Sequence, residues 1–376
     1  MNKVLFLGAG ASVDAGYPLT VKLLGAMEAE YRATLFQNEK RDWKAFSEYR
    51  SSASGPLAFV LNASNPELVL TLPDLLEAAL ESSDADKWVA LRAAAMKEDG
   101  QAADAANEYW NDPQREELQK AVLAKRAFQR LTDSFFSHLH CSDSLADARE
   151  RRSYLDRALA GIEQGDTVIT TNWDTLAERV LLDQRRWSIA DGYGFSAPIV
   201  TGPEWESRKH FLCGGSAVKV LKLHGSTGWF RTTDAEDSTL YFKYASFLQY
   251  FSPANHEEYH HADEPPAGHG PDVSPVVVFP SYLKQLDDPI LQSIWDQAGT
   301  ALYTATRITF VGFSLPKADV AIRALLNPVR RRLSEGMCEV IVIVASDSQA
   351  EMRWKRFLGD RVQVVRKTAK EFFMPT

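Results

Sequence analysis

Short apolar runs rich in Val and Ile recur along the chain, and stretches with helical spacing separate most of them. The runs lie at residues 3–7, 167–170, 218–223, 276–279, 308–311 and 340–344. Near-continuous apolar runs of this length are typical of strands that are buried on both faces, and their alternation with helices is typical of parallel sheets. We therefore predict an α/β fold, namely a Rossmann-like doubly wound parallel sheet with helices on both faces.

Residues 20–165 interrupt this alternation with a long stretch of helical spacing. The first predicted helix starts near Thr20, and its apolar face is formed by Leu23, Leu24, Met27 and Tyr31. Further helices are predicted from Pro73, over 113–138 and over 146–162. The expected organisation is a Rossmann-like core of residues 1–19 and 166–376 that carries a mainly helical insertion subdomain, residues 20–165.

Composition excludes several classes of protein. Asp and Glu total 50 against 42 Lys and Arg, a net charge of -8, so a dedicated nucleic-acid binder is not expected. The three cysteines, Cys141, Cys213 and Cys338, are far apart, so neither a disulfide framework nor a four-cysteine zinc ribbon is expected. No apolar run reaches the roughly 18 residues of a transmembrane helix. We expect a cytoplasmic protein without a metal site.

Two histidine clusters resemble metal sites. The sequence from His256 to His260 matches HExxH, but prolines at 253, 265 and 266 argue against the helix that this motif needs, so a surface loop is expected. His138 and His140 lie near the end of a predicted helix, where imidazoles complement the helix dipole. Neither cluster is predicted to bind metal.

The first predicted strand ends in a glycine turn, which reads Gly8, Ala9, Gly10, Ala11 and Ser12. Glycines at this place allow the backbone to approach a pyrophosphate, which free amides and a helix N-terminus then stabilise. The dinucleotide fingerprint GxGxxG is not satisfied because Val13 stands at the third glycine position, and the Walker pattern is missing too. A tight strand-to-helix turn without a ligand is the alternative.

Polar turns also follow the next two strands of the predicted core. Thr171, Asn172 and Asp174 follow the strand at 167–170, and they either line a ligand site or cap the next helix. His224 follows the strand at 218–223, where it is placed for proton transfer or for holding a ribose hydroxyl. An exposed or capping loop histidine is the alternative for His224.

Two more turns complete the set. Gly312, Phe313 and Ser314 follow the strand at 308–311, and Ser346 and Asp347 follow the strand at 340–344. Each of these turns taken alone is also compatible with an ordinary loop. Because ligands bind at the carboxyl ends of parallel strands, the five turns together predict one site.

The ordered set of motifs resembles the NAD-binding core of the sirtuins. Sirtuins show GAGxS…GIP, TQNxD, HG and GTS, and this chain has GAGAS…GYP at 8–18, TTNWD at 170–174, HG at 224–225 and GFS at 312–314. The chain differs from sirtuin deacylases in lacking the paired cysteines of a zinc ribbon and in having Leu19-Thr20-Val21 where deacylases have Asp-Phe-Arg. It is closer to the zinc-free sirtuin-like domains of bacterial antiphage systems, some of which hydrolyse NAD to nicotinamide and ADP-ribose.

That resemblance implies roles for individual residues. Asn172 would hold the attacking water or the ribose hydroxyls, and His224 would act as general base or hold the ribose. Asp174 would contact the nicotinamide amide or orient Asn172. The residues implied to line the pyrophosphate and ribose are Gly8, Ala9, Gly10, Ala11, Ser12, Thr171, Gly312, Phe313 and Ser314. Ser346 and Asp347 would lie near the adenosine end. NAD would be the substrate, with no resident cofactor.

The resemblance also implies a setting. Members of the group often act in assemblies and stay inactive until triggered, and their partners include ring-shaped translocase ATPases and Argonaute proteins. We expect a homo-oligomer or a separately encoded partner that docks on the helices of residues 20–165. Two alternatives stay open. One is a regulatory module that binds NAD or ADP-ribose without turnover, and the other is an ADP-ribosyltransferase or deacylase.

Overall fold

A parallel sheet forms the centre of the molecule in a computed structural model. The structure describes residues 2–32, 37–52, 145–195, 215–232, 240–242, 273–278, 288–316, 319–345 and 348–375, together with scattered residues between 120 and 139. The predicted helix from Pro73 and the HExxH segment lie outside these residues. So do His138, His140, Ser346 and Asp347.

Six strands form the parallel sheet. Their bounds are β1 Lys3–Leu7, β2 Thr167–Thr170, β3 Lys219–Lys222, β7 Arg307–Val311, β8 Glu339–Val344 and β9 Gln363–Arg366. Their order across the sheet is β3-β2-β1-β7-β8-β9. The chain builds β1, β2 and β3 outward in one direction and then returns to β7 beside β1 before building outward in the other. The predicted doubly wound α/β fold is confirmed, and five of its six strands were predicted to within a residue or two.

The remaining three strands, β4 Gly225–Thr232, β5 Leu240–Phe242 and β6 Val273–Val277, form a small antiparallel sheet. Their order is β5-β4-β6. The assignment of the run at 276–279 to the parallel sheet was wrong, since β6 pairs antiparallel with β4. Pro275 lies in β6 and cannot donate a ladder hydrogen bond, which suits an edge strand rather than a central one.

Helices flank the parallel sheet. Those of the core are α4 Leu176–Asp183, α5 Pro289–Thr304, α6 Val320–Leu325, α7 Asn327–Ser334, α8 Ser348–Leu358 and α9 Ala369–Phe373. The spacing of apolar residues over 318–333 also predicts a single helix, but the structure divides this stretch into α6 and α7. Pro328 stands in the first turn of α7, where its missing amide hydrogen and fixed φ suit a new helix start and not the interior of a continuous one.

The described part of the predicted insertion contains the helices α1 Thr20–Tyr31, α2 Gln37–Ser52 and α3 Leu145–Ala160, together with the helical residues between 120 and 139. The predicted apolar face of α1 is buried, and it packs with α2 and with helical residues between 124 and 135 in a second hydrophobic core. Helix α3 instead contributes Tyr154, Leu155 and Leu159 to the main core under the parallel sheet. The boundary between core and insertion stays a prediction. No helix of the described chain is long and apolar enough to cross a membrane.

Candidate active site at the sheet switch point

A cavity of about 350 Å³ opens where the winding of the sheet reverses, between the carboxyl ends of β1 and β7. In open α/β sheets, this switch point leaves a crevice because the connections from the two neighbouring strands run to opposite faces. The volume lies at the lower end of the range for ligand pockets. Side chains from the turns after β1, β2, β3 and β7 line it, and α1 and α8 add walls.

Glycines in the turns after β1 and β7 allow these two loops to pack against each other. A Cβ on Gly8 would lie 2.7 Å from the Cα of Phe313, and one on Gly10 would lie 2.8 Å from the Cα of Gly312. Gly312 has a φ of +65°, and a Cβ there would lie 2.1 Å from the amide nitrogen of Ala11. The glycines are therefore required by loop-to-loop contact, whether or not a ligand is bound.

The amides of the glycine turn are engaged within the protein. Gly8 donates to the carbonyl of Val311 (2.9 Å), and Gly10 donates to the carbonyl of Gly312 (2.8 Å). Ala11 and Ser12 donate to carbonyls within the turn itself. The helix that follows is a short 3₁₀ turn, Ala9–Ala11. Four of the amides that were expected to be available for a pyrophosphate thus have backbone partners.

Asn172 is held in one orientation by two contacts. Its Nδ2 donates to the carbonyl of Gly8 (3.0 Å) and to the Oγ of Ser12 (2.9 Å). A carbonyl can only accept, so the nitrogen must face Gly8 and the oxygen must face away. That Oδ1 is buried, lacks a hydrogen-bond partner within the described structure and belongs to a cavity-lining residue. A ligand hydroxyl or a water would satisfy it.

Asp174 supports Asn172 through Ser12. The Ser12 Oγ donates to Asp174 Oδ2 (2.8 Å) while it accepts from Asn172, and Asp174 Oδ1 accepts from the amide of Leu176 at the start of α4. Asp174 is buried. These contacts are compatible both with the predicted orienting role of Asp174 and with the alternative role at the helix start.

His224 lies in the turn between β3 and β4 and lines the same cavity, with 7% of its surface exposed. Its carbonyl accepts from the amide of Val278, which fixes the turn against the small sheet. Gly225 makes the turn possible, because its φ is +70° and a Cβ there would lie 2.0 Å from the carbonyl oxygen of Val276. The imidazole is thus held at the cavity wall by a rigid junction of both sheets.

A buried ion pair beneath the Asn172 turn was not predicted. Lys222 Nζ lies 3.0 Å from Glu178 Oε1, and both side chains are completely buried. The ammonium also donates to the main-chain carbonyl of Asp174 (2.5 Å). Tyr193 donates to Glu178 (3.1 Å), and burial followed by the charge of Glu178 raises the pKa of Tyr193 well above its ordinary value. The pair fixes α4 and the Asn172 turn relative to β3.

A buried tyrosine from α3 fixes the glycine turn on its other side. The Tyr154 hydroxyl donates to the carbonyl of Ala11 (2.5 Å). Burial raises the pKa of Tyr154, and the charges of Asp174 and Asp14 raise it further, so the hydroxyl remains a protonated donor. Helix α3 is thereby coupled to the site.

Three aromatic side chains form an apolar wall of the cavity. Phe136 lies 5.7 Å from the ring of Tyr17 and 6.0 Å from that of Trp173, measured between centroids. The Trp173 Nε1 donates to the carbonyl of Val278 (3.2 Å). These rings surround the space next to Asn172 and His224 and could pack against a flat ligand ring.

The structure brings most of the predicted site residues to one cavity. Those that line it are Ala9, Gly10, Ser12, Thr171, Asn172, Asp174, His224, Gly312, Phe313 and Ser314. Gly8 and Ala11 lie in the same turn and support it through their backbones. Ser346 and Asp347 lie outside the described residues, and the role of every residue in this set stays a prediction.

Two further polar residues of the wall, Asp319 and Arg353, were not predicted. They start or lie within the helices after β7 and β8, and the sequence carries no local motif that would reveal them. Among the described residues, no cluster of three or more His, Cys, Asp or Glu side chains could hold a metal ion.

Comparisons with known proteins find similar solved structures only. No protein-family model and no curated protein matches the sequence. The chain is similar to Sir2 with NAD⁺ and a p53 peptide (13% identity, TM-score 0.38). It is also similar to Sir2 with the inhibitor EX-527, 2'-O-acetyl-ADP-ribose and a deacetylated p53 peptide (12%, 0.37), and to Sir2Tm with a propionylated peptide (14%, 0.36).

Each of these matches covers 99% of this chain and 90% of the other. Because their TM-scores lie below 0.5, the roles proposed below rest on the contacts within this chain and on its motifs.

Proposed function

We propose that this protein is an NAD glycohydrolase, which cleaves the bond between nicotinamide and ribose to give nicotinamide and ADP-ribose. The observation that carries the proposal is the buried, unpaired Oδ1 of Asn172, which is held rigidly in the same cavity as His224 at the switch point of the sheet. The resemblance of the ordered turn motifs to the sirtuin NAD-binding core supports NAD as the ligand.

The proposed reaction is a displacement at the anomeric carbon. The bond between ribose C1' and nicotinamide N1 breaks, and its electron pair neutralises the pyridinium, so nicotinamide leaves without being protonated. Positive charge develops on the ribose as in glycoside hydrolysis. A water oxygen bonds to C1', and the proton of that water passes to a base and then to solvent. NAD is the substrate, and the reaction as written requires no resident cofactor or metal.

Asn172 would position the ribose or the water. Because Nδ2 is committed to Gly8 and Ser12, the amide can only offer an acceptor to the ligand, and ribose hydroxyls and water are donors. Fixing a reacting group in this way lowers the barrier through orientation. The contacts of Asp174 favour the orienting role over direct contact with the nicotinamide amide, because Ser12 and Leu176 engage both of its oxygens.

His224 would act as the general base. Imidazole is the side chain that changes protonation near neutral pH, and a base with such a pKa is suited to accept a proton from water. The aromatic wall of Tyr17, Phe136 and Trp173 would receive nicotinamide, which becomes less polar as the bond breaks and its charge is lost.

We further propose that NAD cleavage serves antiphage defence and is activated in an oligomer or by a separately encoded partner, such as a ring-shaped translocase ATPase or an Argonaute. The support is the similarity of the motifs to those of zinc-free sirtuin-like defence domains. Light scattering after size exclusion should detect an assembly of this chain alone or with the products of neighbouring genes, and a monomer under both conditions would refute this part.

The test of the activity is product analysis. Purified protein, alone and with neighbouring gene products, is incubated with NAD, and the products are separated by chromatography. Equimolar nicotinamide and free ADP-ribose are expected. Formation of cyclic ADP-ribose would show that the reaction is a cyclisation. A labelled acceptor protein would show that it is a transfer of ADP-ribose. Tight NAD binding without nicotinamide release would instead identify a regulatory module.

A further inference from the structure

Two helices end at the edge of the parallel sheet where its strands start, on the side opposite the cavity. Helix α5 leads into β7 and α7 leads into β8, so both helix ends lie beside strand starts. Arg332 of α7 joins them by donating to the carbonyl of Ala305, just after α5 (2.7 Å). The cavity lies at the other edge, at the carboxyl ends of β1 and β7. The proposed reaction therefore makes no use of this surface.

Two large apolar side chains are exposed at these helix ends. Tyr303 in the last turn of α5 is 62% exposed, and Met337 in the turn before β8 is 60% exposed. The guanidinium of Arg332 lies 5.8 Å from the centre of the Tyr303 ring, and the carbonyl of Arg332 accepts from the amide of Met337 (2.8 Å). Tyr, Met and Arg are enriched in protein interfaces. Single exposed apolar residues are ordinary, but a fixed group of these three types indicates a contact surface.

The charge of this surface is positive. The amino-edge patch consists of Tyr303, Met337, Arg330, Arg331, Arg332 and Arg361, of which Arg361 lies close to the turn before β8. Glu335 pairs with Arg331 (2.9 Å), and Asp360 precedes Arg361 in the chain. The neighbouring Arg307 and Glu339 pair with each other (2.8 Å). Four arginines against two carboxylates leave the patch with a net positive charge.

The chain contains a segment that complements the patch in charge. Residues 67–119 include thirteen Asp and Glu against four Lys and Arg, together with Trp88, Tyr109 and Trp110. This acidic segment accounts for the whole negative charge of the chain, which is -8. A symmetric contact between two copies of the patch would instead place arginines against arginines, which is unfavourable.

The position of the acidic segment in the chain favours a second copy as the partner. The segment follows α2 and precedes the helical residues around 128, and both of these pack in the second hydrophobic core, which includes Trp173 at the cavity. The segment is therefore attached to the fold on the cavity side. The patch lies at the opposite edge of the sheet, so a contact between the two joins the cavity side of one copy to the amino edge of the next.

We propose that the amino-edge patch binds the acidic segment, residues 67–119, of a second copy of this chain, so that copies associate head to tail. Tyr303 and Met337 supply the apolar centre of the contact, and the arginines around them attract the carboxylates. Such a contact closes into a ring or continues as a filament, depending on the rotation between copies. The proposal rests on the proposed function only for its oligomer, and it requires no cleavage of NAD.

Sedimentation velocity over a concentration series tests the contact by charge reversal. The wild type is compared with Arg330→Glu/Arg331→Glu and with Tyr303→Ala at low and at high salt, after thermal unfolding has confirmed that each variant is folded. The wild type should self-associate, and more weakly at high salt because the charges are screened. Both variants should weaken self-association by about tenfold or more, since one reverses the attraction and the other removes the aromatic centre.

The matched control is Lys355→Glu/Arg356→Glu on α8. Each double variant reverses two adjacent exposed positive residues, one of which forms an ion pair with a glutamate four positions away on its helix. The control therefore makes the same change in net charge away from the patch and should self-associate like the wild type.

Carbodiimide crosslinking identifies the partner surface. Arg330→Lys/Arg331→Lys keeps the charge of the patch and supplies amines, which the reagent joins to carboxylates in contact with them. Mixing isotope-labelled with unlabelled copies of this variant separates crosslinks between copies from crosslinks within one copy. Crosslinks between copies should join positions 330 and 331 to carboxylates of residues 67–119.

Several outcomes would overturn the proposal. A wild type that stays monomeric at low salt, or equal association of the patch variants and the control, would show that the patch is not an interface. Crosslinks that form only within one copy would show that the segment covers its own patch, and crosslinks to carboxylates outside 67–119 would show a different partner surface. The proposed function fails differently, by an absence of nicotinamide release from NAD in every state of assembly.

Discussion

The side-chain amide of Asn172 donates to the Oγ of Ser12 over 2.9 Å, and this contact joins two turns that lie 160 residues apart in the sequence. The Ser12 hydroxyl in turn donates to Asp174 Oδ2 (2.8 Å), so three residues from the ends of β1 and β2 form one chain of hydrogen bonds. The last free acceptor of this chain is Asn172 Oδ1. Catalysis in our account depends on the fixed direction of that oxygen.

Changing Asn172 to Asp should therefore remove activity with little change in shape. The carboxylate would replace the amide donor and face the carbonyl of Gly8, which can only accept, so the side chain should rotate away. Nicotinamide release should fall by about 100-fold or more. Ser12→Ala removes one of the two anchors of Nδ2 and should cost less, about tenfold. A loss for Ser12→Ala that exceeds the loss for Asn172→Asp would contradict this ranking.

Removing the ammonium of Lys222 should destabilise the protein strongly. Lys222→Met leaves the carboxylate of Glu178 buried without its cation, which typically costs about 3 to 5 kcal/mol. Urea unfolding measures the loss, and the double variant with Glu178→Leu should recover much of it because no buried charge remains. Lys219→Met, an exposed lysine on the same strand, is the matched control. Equal stability of Lys222→Met and Lys219→Met would disprove the role of the pair.

Gly312→Ala should damage both stability and ligand binding. The φ of +65° costs an alanine about 1 to 2 kcal/mol, and its Cβ would in addition overlap the amide nitrogen of Ala11, so we expect a loss of about 3 kcal/mol or more. Gly359→Ala is the control, since its φ is +88° and nothing lies within 4 Å of the position that a Cβ would take there. If thermal unfolding shows the same loss of stability for both variants, the turns after β1 and β7 do not pack against each other as described.

Asp191 should make stability depend on pH in the acid range. Partial burial alone would raise the pKa of Asp191, but hydrogen bonds from the Ser216 hydroxyl and from the amides of Gly215 and Ser216 outweigh it and hold the pKa below its ordinary value. The stabilisation that Asp191 contributes through this lowered pKa is fully present above the pKa of the unfolded state, about 3.9. It is lost as the pH falls through the lower pKa of the folded state.

The difference in Tm between the wild type and Asp191→Asn should therefore be largest at neutral pH and shrink toward acid pH, below about pH 4. Asp360→Asn, which removes a carboxylate at an exposed position, is the control for the substitution itself. If the difference in Tm between the wild type and Asp191→Asn stays constant from neutral to acid pH, the hydrogen bonds that Gly215 and Ser216 donate to Asp191 do not depend on the charge of its carboxylate.

Local pattern is sufficient to predict much of the sheet and the reacting end of the site. Buried strands leave a continuous apolar signal, and in a parallel sheet their carboxyl ends meet at one edge, so the sequence alone places Asn172 and His224 together. The face of α1 is predicted for the same reason, because Leu23, Leu24 and Met27 repeat at helical spacing and are buried.

Other parts of the site depend on tertiary geometry. Arg353 reaches the cavity only because α8 packs beside the loop after β7, and no spacing in the sequence encodes that packing. The Lys222 and Glu178 pair joins a strand residue to a helix residue that look like ordinary surface charges in the sequence. The amides of Gly8 and Gly10 likewise donate to the carbonyls of Val311 and Gly312 only because the two loops are in contact, and the sequence does not encode that contact.

The rate of nicotinamide release from NAD, compared between the wild type and His224→Ala, determines whether this cavity cleaves NAD with His224 as the base. Both proteins are assayed alone and with the products of neighbouring genes, and matching thermal unfolding confirms that the variant is folded. We expect release by the wild type in at least one of these states and a rate lower by about 100-fold or more for His224→Ala. Intact NAD in every state of the wild type would rule out the proposed activity, and equal rates for the two proteins would rule out His224 as the base.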